Sequence, residues 1–148
     1  MERSSETREG MPGRGFLIVS VRTGEGAIPL EGALVTLRGD ASIEGDAIAS
    51  FITDQSGNTP RITLPAPPRI NSESPNGGKP YASYSADISL PGYYTNLYTN
   101  IPIFDTITSV QTAYLIPLPE DGSGTSDDMG EVFVFDARTG ERLRGEGE

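Results

Sequence analysis

Residues 81–90 read Tyr-Ala-Ser-Tyr-Ser-Ala-Asp-Ile-Ser-Leu, an alternation of apolar and polar side chains with a period of two. An extended strand reverses its side-chain direction at every residue, whereas a helix repeats every 3.6. The segment therefore places Ala82, Tyr84, Ala86, Ile88 and Leu90 on one face and Ser83, Ser85, Asp87 and Ser89 on the other. That is the pattern of a strand with one face in a core and one in water. No window of ten residues in the chain carries the 3.6-residue pattern of an amphipathic helix.

Other runs share this character. Residues 15–22 put Leu17, Val19 and Val21 opposite Phe16, Ile18 and Ser20; residues 33–38, 48–53, 62–64, 97–104 and 110–118 are short, rich in β-branched or aromatic residues, and bounded by Gly, Pro, Asn or Asp. The turns between them have recognisable chemistry. Asp54-Gln55-Ser56-Gly57 suits a type I turn with an Asp cap, and Leu90-Pro91-Gly92-Tyr93 suits a type II turn. Seven such strands predict an all-β fold, an antiparallel Greek-key β-sandwich. The expected division is a polar arm over 1–14, the sandwich over 15–118, an acidic Gly/Ser linker over 119–130, and a C-terminal strand and tail over 131–148. A weak internal echo, Val21-Arg22-Thr23-Gly24-Glu25 against Ala137-Arg138-Thr139-Gly140-Glu141, reads as one turn solution used twice.

Composition narrows the chemistry. The formal net charge is −10, and there is one Lys, Lys79. A chain that binds a nucleic-acid backbone needs a basic stripe, so nucleic acid is not an expected partner. From Leu118 onward nine acids stand against three Arg, so −6 of the charge belongs to the tail. Residues 1–13 lack the continuous apolar stretch of an export signal, and no run is long enough to insert in a membrane. There is no His and no Cys, which removes the usual zinc, thiol and triad chemistry and directs the reading toward a protein that is not an enzyme and holds no cofactor. The acids Glu120, Asp121, Asp127 and Asp128 lack the spacing of a calcium loop and read as solvated linker. Lys79 lies in the Gly-rich loop 71–80, a poor place for a buried isopeptide cross-link.

The order of motifs adds a resemblance. A Gly-led strand is followed by Pro29-Leu30-Glu31-Gly32-Ala33-Leu34-Val35, then Thr53-Asp54-Gln55-Ser56-Gly57, then Ile62-Thr63-Leu64-Pro65. This resembles carboxypeptidase-regulatory, transthyretin-like β-sandwich domains. With Pro91-Gly92-Tyr93, Ile101-Pro102-Ile103-Phe104 and Leu115-Ile116-Pro117, it is similar to the non-catalytic N-terminal domain of clostridial spore cortex-lytic enzymes and related cell-wall proteins. The resemblance covers 15–119 and implies a sandwich that accompanies other modules.

Two surfaces are candidates for function. Val132, Phe133, Val134 and Phe135 form a strand apolar on both faces, which must be covered on both. It can add to its own sandwich or to the edge of a neighbouring copy, where non-closing pairing would build a filament. Tyr93, Tyr94 and Tyr98 could supply a flat aromatic surface, since Tyr offers a ring and a hydroxyl. The two expected roles are a structural subunit of a spore, cell-wall or surface assembly, whose partners are copies of itself, and a binding module for peptidoglycan, other glycan or a partner protein.

Overall fold

A computed structural model describes residues 13–39, 47–68, 81–119, 132–140 and 142–144. Residues 1–12 of the polar arm, the loop at 71–80 with Lys79 and the acidic cluster at 120–128 lie outside the described residues, while Gly13 and Arg14 open the first strand. The strands are β1 (Gly13–Thr23), β2 (Ile28–Pro29), β3 (Leu34–Gly39), β4 (Ala47–Ile52), β5 (Ile62–Ala66), β6 (Tyr81–Ser89), β7 (Thr95–Phe104), β8 (Thr108–Tyr114), β9 (Val132–Asp136) and β10 (Arg142–Arg144). They form two sheets, as the period-two alternation requires. In one, β1 carries β2 and β5 on one side and β8 on the other; the second runs β10-β9-β7-β6-β3-β4. Most neighbours are antiparallel, but β1–β8 and β7–β9 are parallel.

The inward faces are those predicted from alternation. Leu17, Val19 and Val21 of β1 are fully buried and meet Val35 and Leu37 of β3, Ile62 and Leu64 of β5, and Ala82, Tyr84, Ala86 and Ile88 of β6 in one core. The phase of β7 changes midway. Tyr84 pairs with Ile101 but Ala86 with Tyr98, so β7 carries an extra residue there. Asn100 absorbs it in a left-handed conformation, φ 61°. Asn96 and Tyr98 before the bulge, and Ile101 and Ile103 after it, all turn inward as a result.

The turn motifs have specific tasks. The Asp54 carboxylate accepts from the amides of Ser56 and Asn58 at 2.9 and 3.0 Å, while the Gly57 amide donates to the Asp54 carbonyl at 2.8 Å. Gly57 has φ 82°, and a Cβ there would lie 2.6 Å from the Val21 carbonyl oxygen, so only glycine fits. Gly92 at φ 93° and the Tyr93 amide on the Leu90 carbonyl at 3.0 Å complete the expected second turn. In the echoed segments a turn follows β1 from Gly24 and another follows β9 from Ala137, with positive φ at Gly24 and Gly140.

Thr53 precedes Asp54 and is buried; its hydroxyl accepts from the Ala33 amide at 2.9 Å and donates to the Leu30 carbonyl at 2.7 Å. Replacing Thr53 by Val keeps shape but leaves a buried donor and acceptor unpaired. A loss of about 1–3 kcal/mol is expected in urea unfolding, with the slope unchanged.

Candidate functional site

Strand β9 carries the four residues expected to mediate assembly. Its backbone is paired on both sides, parallel to β7 and antiparallel to β10. Phe133 and Val134 are each 7% exposed and Phe135 is half-buried; Val132, at 41%, is the exposed member. Phe133 meets Tyr94 edge-on at 5.3 Å, and Phe135 stacks on Tyr98 at 5.0 Å. The expectation that Val132–Phe135 seeks a neighbour's edge is therefore corrected. Of the two placements open to it, the strand adds to its own sandwich: β7 pairs with all of Val132–Asp136, β10 with Val134 and Phe135, and Phe133 and Val134 are buried. The β7 bulge holds the end of β9. The Ala137 amide donates to the Thr99 carbonyl at 2.7 Å, the Thr99 hydroxyl donates to the Phe135 carbonyl at 3.2 Å, and the Asn100 amide donates to the Asp136 carboxylate at 3.2 Å. Partial burial alone would raise the Asp136 pKa. The Arg138 amide, the Asn100 amide and the Arg138 charge outweigh it and hold the carboxyl below its usual range.

The three tyrosines do not form one surface. Tyr98 is 5% exposed and belongs to the core, so its place in an exposed binding patch is also corrected; the bulge at Asn100 sets the phase that turns it inward. Tyr93 and Tyr94 are half-buried; Tyr93 packs against the core, and Tyr94 donates its backbone amide to the Ile116 carbonyl at 2.9 Å. Tyr98 works across the gap between the sheets. Its hydroxyl oxygen accepts from the Asn96 side-chain amide at 3.1 Å and from the Tyr114 backbone amide at 3.3 Å, while Asn96 also donates to the Tyr114 carbonyl at 2.9 Å. Two side chains of β7 thus cap the free edge of β8. Desolvation raises the Tyr98 pKa, against the hydrogen bonds from Asn96 and Tyr114, which lower it.

An exposed tyrosine lies where the sequence cluster did not point. Tyr114, about half exposed, ends β8 and packs over Gly26, where an added Cβ would approach its ring to 3.2 Å. With Thr23, Gly24, Glu25, Leu115, Ile116 and Pro117 it lines an open groove of about 630 Å³. The signal was the alternation Val110, Thr112, Tyr114, Ile116, which puts Tyr114 on the outer face, remote in sequence from the other tyrosines. The groove offers apolar contact, one phenol and one carboxylate. Among the described residues no group of three or more His, Cys, Asp or Glu is placed to hold a metal ion.

A phenol with a raised pKa favours the folded state below the ordinary tyrosine range, and that contribution is lost as pH rises toward the folded value. Absorbance titration of tyrosinate should show a late component that Tyr98→Phe diminishes. The same variant strands the Tyr114 amide and should cost about 1–3 kcal/mol in thermal or urea unfolding at pH 7.

No protein-family model matches the sequence, and no curated protein does. Solved structures do. The TIE protein of Bacillus anthracis is 17% identical with a TM-score of 0.51, over 72% of this chain and 18% of that one. The minor pilin GBS52 of Streptococcus agalactiae is 18% identical with a TM-score of 0.49, over 78% of this chain and 49% of that one. This chain thus spans less than half the length of each. The 3-chlorocatechol 1,2-dioxygenase of Rhodococcus opacus is 13% identical with a TM-score of 0.46, over 75% and 62%. Because catechol dioxygenases stand among the matches, the expectation that the chain is not an enzyme, drawn from its missing His and Cys, is withdrawn. At such identity the likeness assigns no reaction. What the comparisons establish for this chain is the fold, a β-sandwich of a kind found in a bacterial protein.

Proposed function

We propose that this chain is a structural β-sandwich subunit of a bacterial surface, cell-wall or spore assembly, of the carboxypeptidase-regulatory, transthyretin-like kind, and that its partners are copies of itself. The observation that carries this reading is an uncharged sheet edge, β4, in a chain of net charge −10. β4 reads Ala-Ile-Ala-Ser-Phe-Ile, with Ile48 and Ile52 about half exposed. A strand edge without charge or Pro is a template for pairing with another chain. The resemblance to cell-wall-associated domains supports the same compartment. One structural neighbour is a minor pilin, a role that belongs to that protein. Sedimentation velocity of the full chain over a hundredfold concentration range should show reversible growth in mass. A monomer at every concentration would rule out self-association.

A second reading, a module that binds peptidoglycan or another glycan, is favoured by the open groove beside Tyr114. It expects retention of the chain on purified cell wall, reduced severalfold by Tyr114→Ala.

A further inference from the structure

The free edges of the two sheets are not equivalent. In β8 the bonds from the Phe16 amide to the Ile107 carbonyl and from the Leu115 amide to the Arg22 carbonyl fix which residues face β1. In a parallel ladder the intervening residues, including Thr112 and Tyr114, turn their backbone groups outward. Both Tyr114 groups are taken by Tyr98 and Asn96, and the Thr112 carbonyl accepts from its neighbour Gln111 at 2.9 Å. β5 contains Pro65, which has no N–H to offer, and its carbonyl accepts from the Tyr84 hydroxyl at 2.6 Å. β2 and β10 are two and three residues long. Among the described residues, β4 has none of these protections over 49–52; a β-bulge at Ile48, itself a device that blunts an edge, confines the regular ladder to that stretch.

The direction of the β4 backbone follows from the same alternation. The Thr53 amide donates to the Ala33 carbonyl at 3.0 Å, so the bonded pairs on β3–β4 include Val35 with Phe51. Ser50 and Ile52, opposite Thr36 and Leu34, therefore direct their N–H and C=O groups away from β3. Their side chains lie on the outer face of the sheet, whereas Phe51 packs against the core.

We infer that β4 pairs antiparallel with β4 of a second copy, about a two-fold axis at Ser50. This rests on the self-association proposed above and names its interface. Centred there, the two Ser50 residues exchange backbone hydrogen bonds. The exposed side chains of Ile48, at the bulge, and of Ile52 flank this short ladder, and Leu34, 40% exposed beside Ile52, continues the apolar surface. On the inner face Ala49 falls opposite Phe51 of the second copy, small against large. No charged side chain of β4 meets another, so two chains of charge −10 meet along a neutral line. The interface is isologous, so it closes as a dimer whose six-stranded sheets become one continuous sheet. A filament would require a further contact.

The chain has no Cys, so a single introduced thiol reports position without ambiguity. At the axis the two Cα atoms would be about 5.5 Å apart, within disulfide range. Ser50→Cys should therefore form an interchain disulfide under mild oxidation. Ile52→Cys should not, because its two copies would lie about 13 Å apart. In parallel, Ser50→Lys and Ser50→Glu should each be monomeric where the parent chain is dimeric, and an equimolar mixture should recover the dimer. Ser50 is exposed, and unaltered melting of both charge variants checks their fold. Equal cross-linking at 50 and 52, cross-linking at neither, or charge variants that remain dimeric would overturn the β4 interface. Self-association that persists in both charge variants would leave the subunit reading standing and remove this interface alone.

Discussion

Strand β1 is the element on which the rest of the molecule depends. It is paired along nearly its whole length, with β8 on one side and with β5 and β2 on the other. Leu17, Val19 and Val21 are removed entirely from water. Burying three such side chains contributes about 1.5–3 kcal/mol each before the entropy of ordering the strand is counted. The backbone at the gap between β2 and β5 is filled by the Asp54 turn. The Val19 amide donates to the Thr59 hydroxyl at 3.0 Å, and the Val21 amide to the Gly57 carbonyl at 2.7 Å. A turn motif distant in sequence thus completes the ladder of the central strand, which explains why Gly57 admits no side chain.

The second sheet is organised by one extra residue. The bulge at Asn100 lets both halves of β7 face the core and provides the carbonyl and amide contacts that hold β9. The same phase brings Asn96 and Tyr98 to the edge of β8, so a polar pair buried in one sheet finishes the backbone of the other. Asn96 Oδ1 has no partner among the described residues.

Edge protection links the fold to the proposed role. A sandwich has sheet edges that a closed barrel lacks, and each must be blunted or used. Here the C-terminal end of β8 is capped by side chains at Thr112 and Tyr114, and β5 carries a proline. β9, with its apolar run Val132–Phe135, has a strand on each side, and Phe133 and Val134 are buried. The uncharged β4 is left as the strand from which association is argued, in place of the C-terminal strand that hydrophobicity alone suggested.

The period-two runs determined that the chain is all-β and which side chains of β1, β3, β5 and β6 form its core, because alternation is a local property of extended backbone. Asp54, Gly57, Pro91 and Gly92 likewise determined their turns, since the bonds involved span a few residues. Tertiary structure decided what depends on distant partners. The inward phase of Tyr98 follows from the pairing of β7 with β6, and the placement of Val132–Phe135 follows from two strands that pair with it. The exposure of Tyr114 depends on which face of β1 lies outside. Which short apolar strand lies at a sheet edge could not be read from composition: among the described residues β4 has one neighbour, β3, whereas β9 lies between β7 and β10.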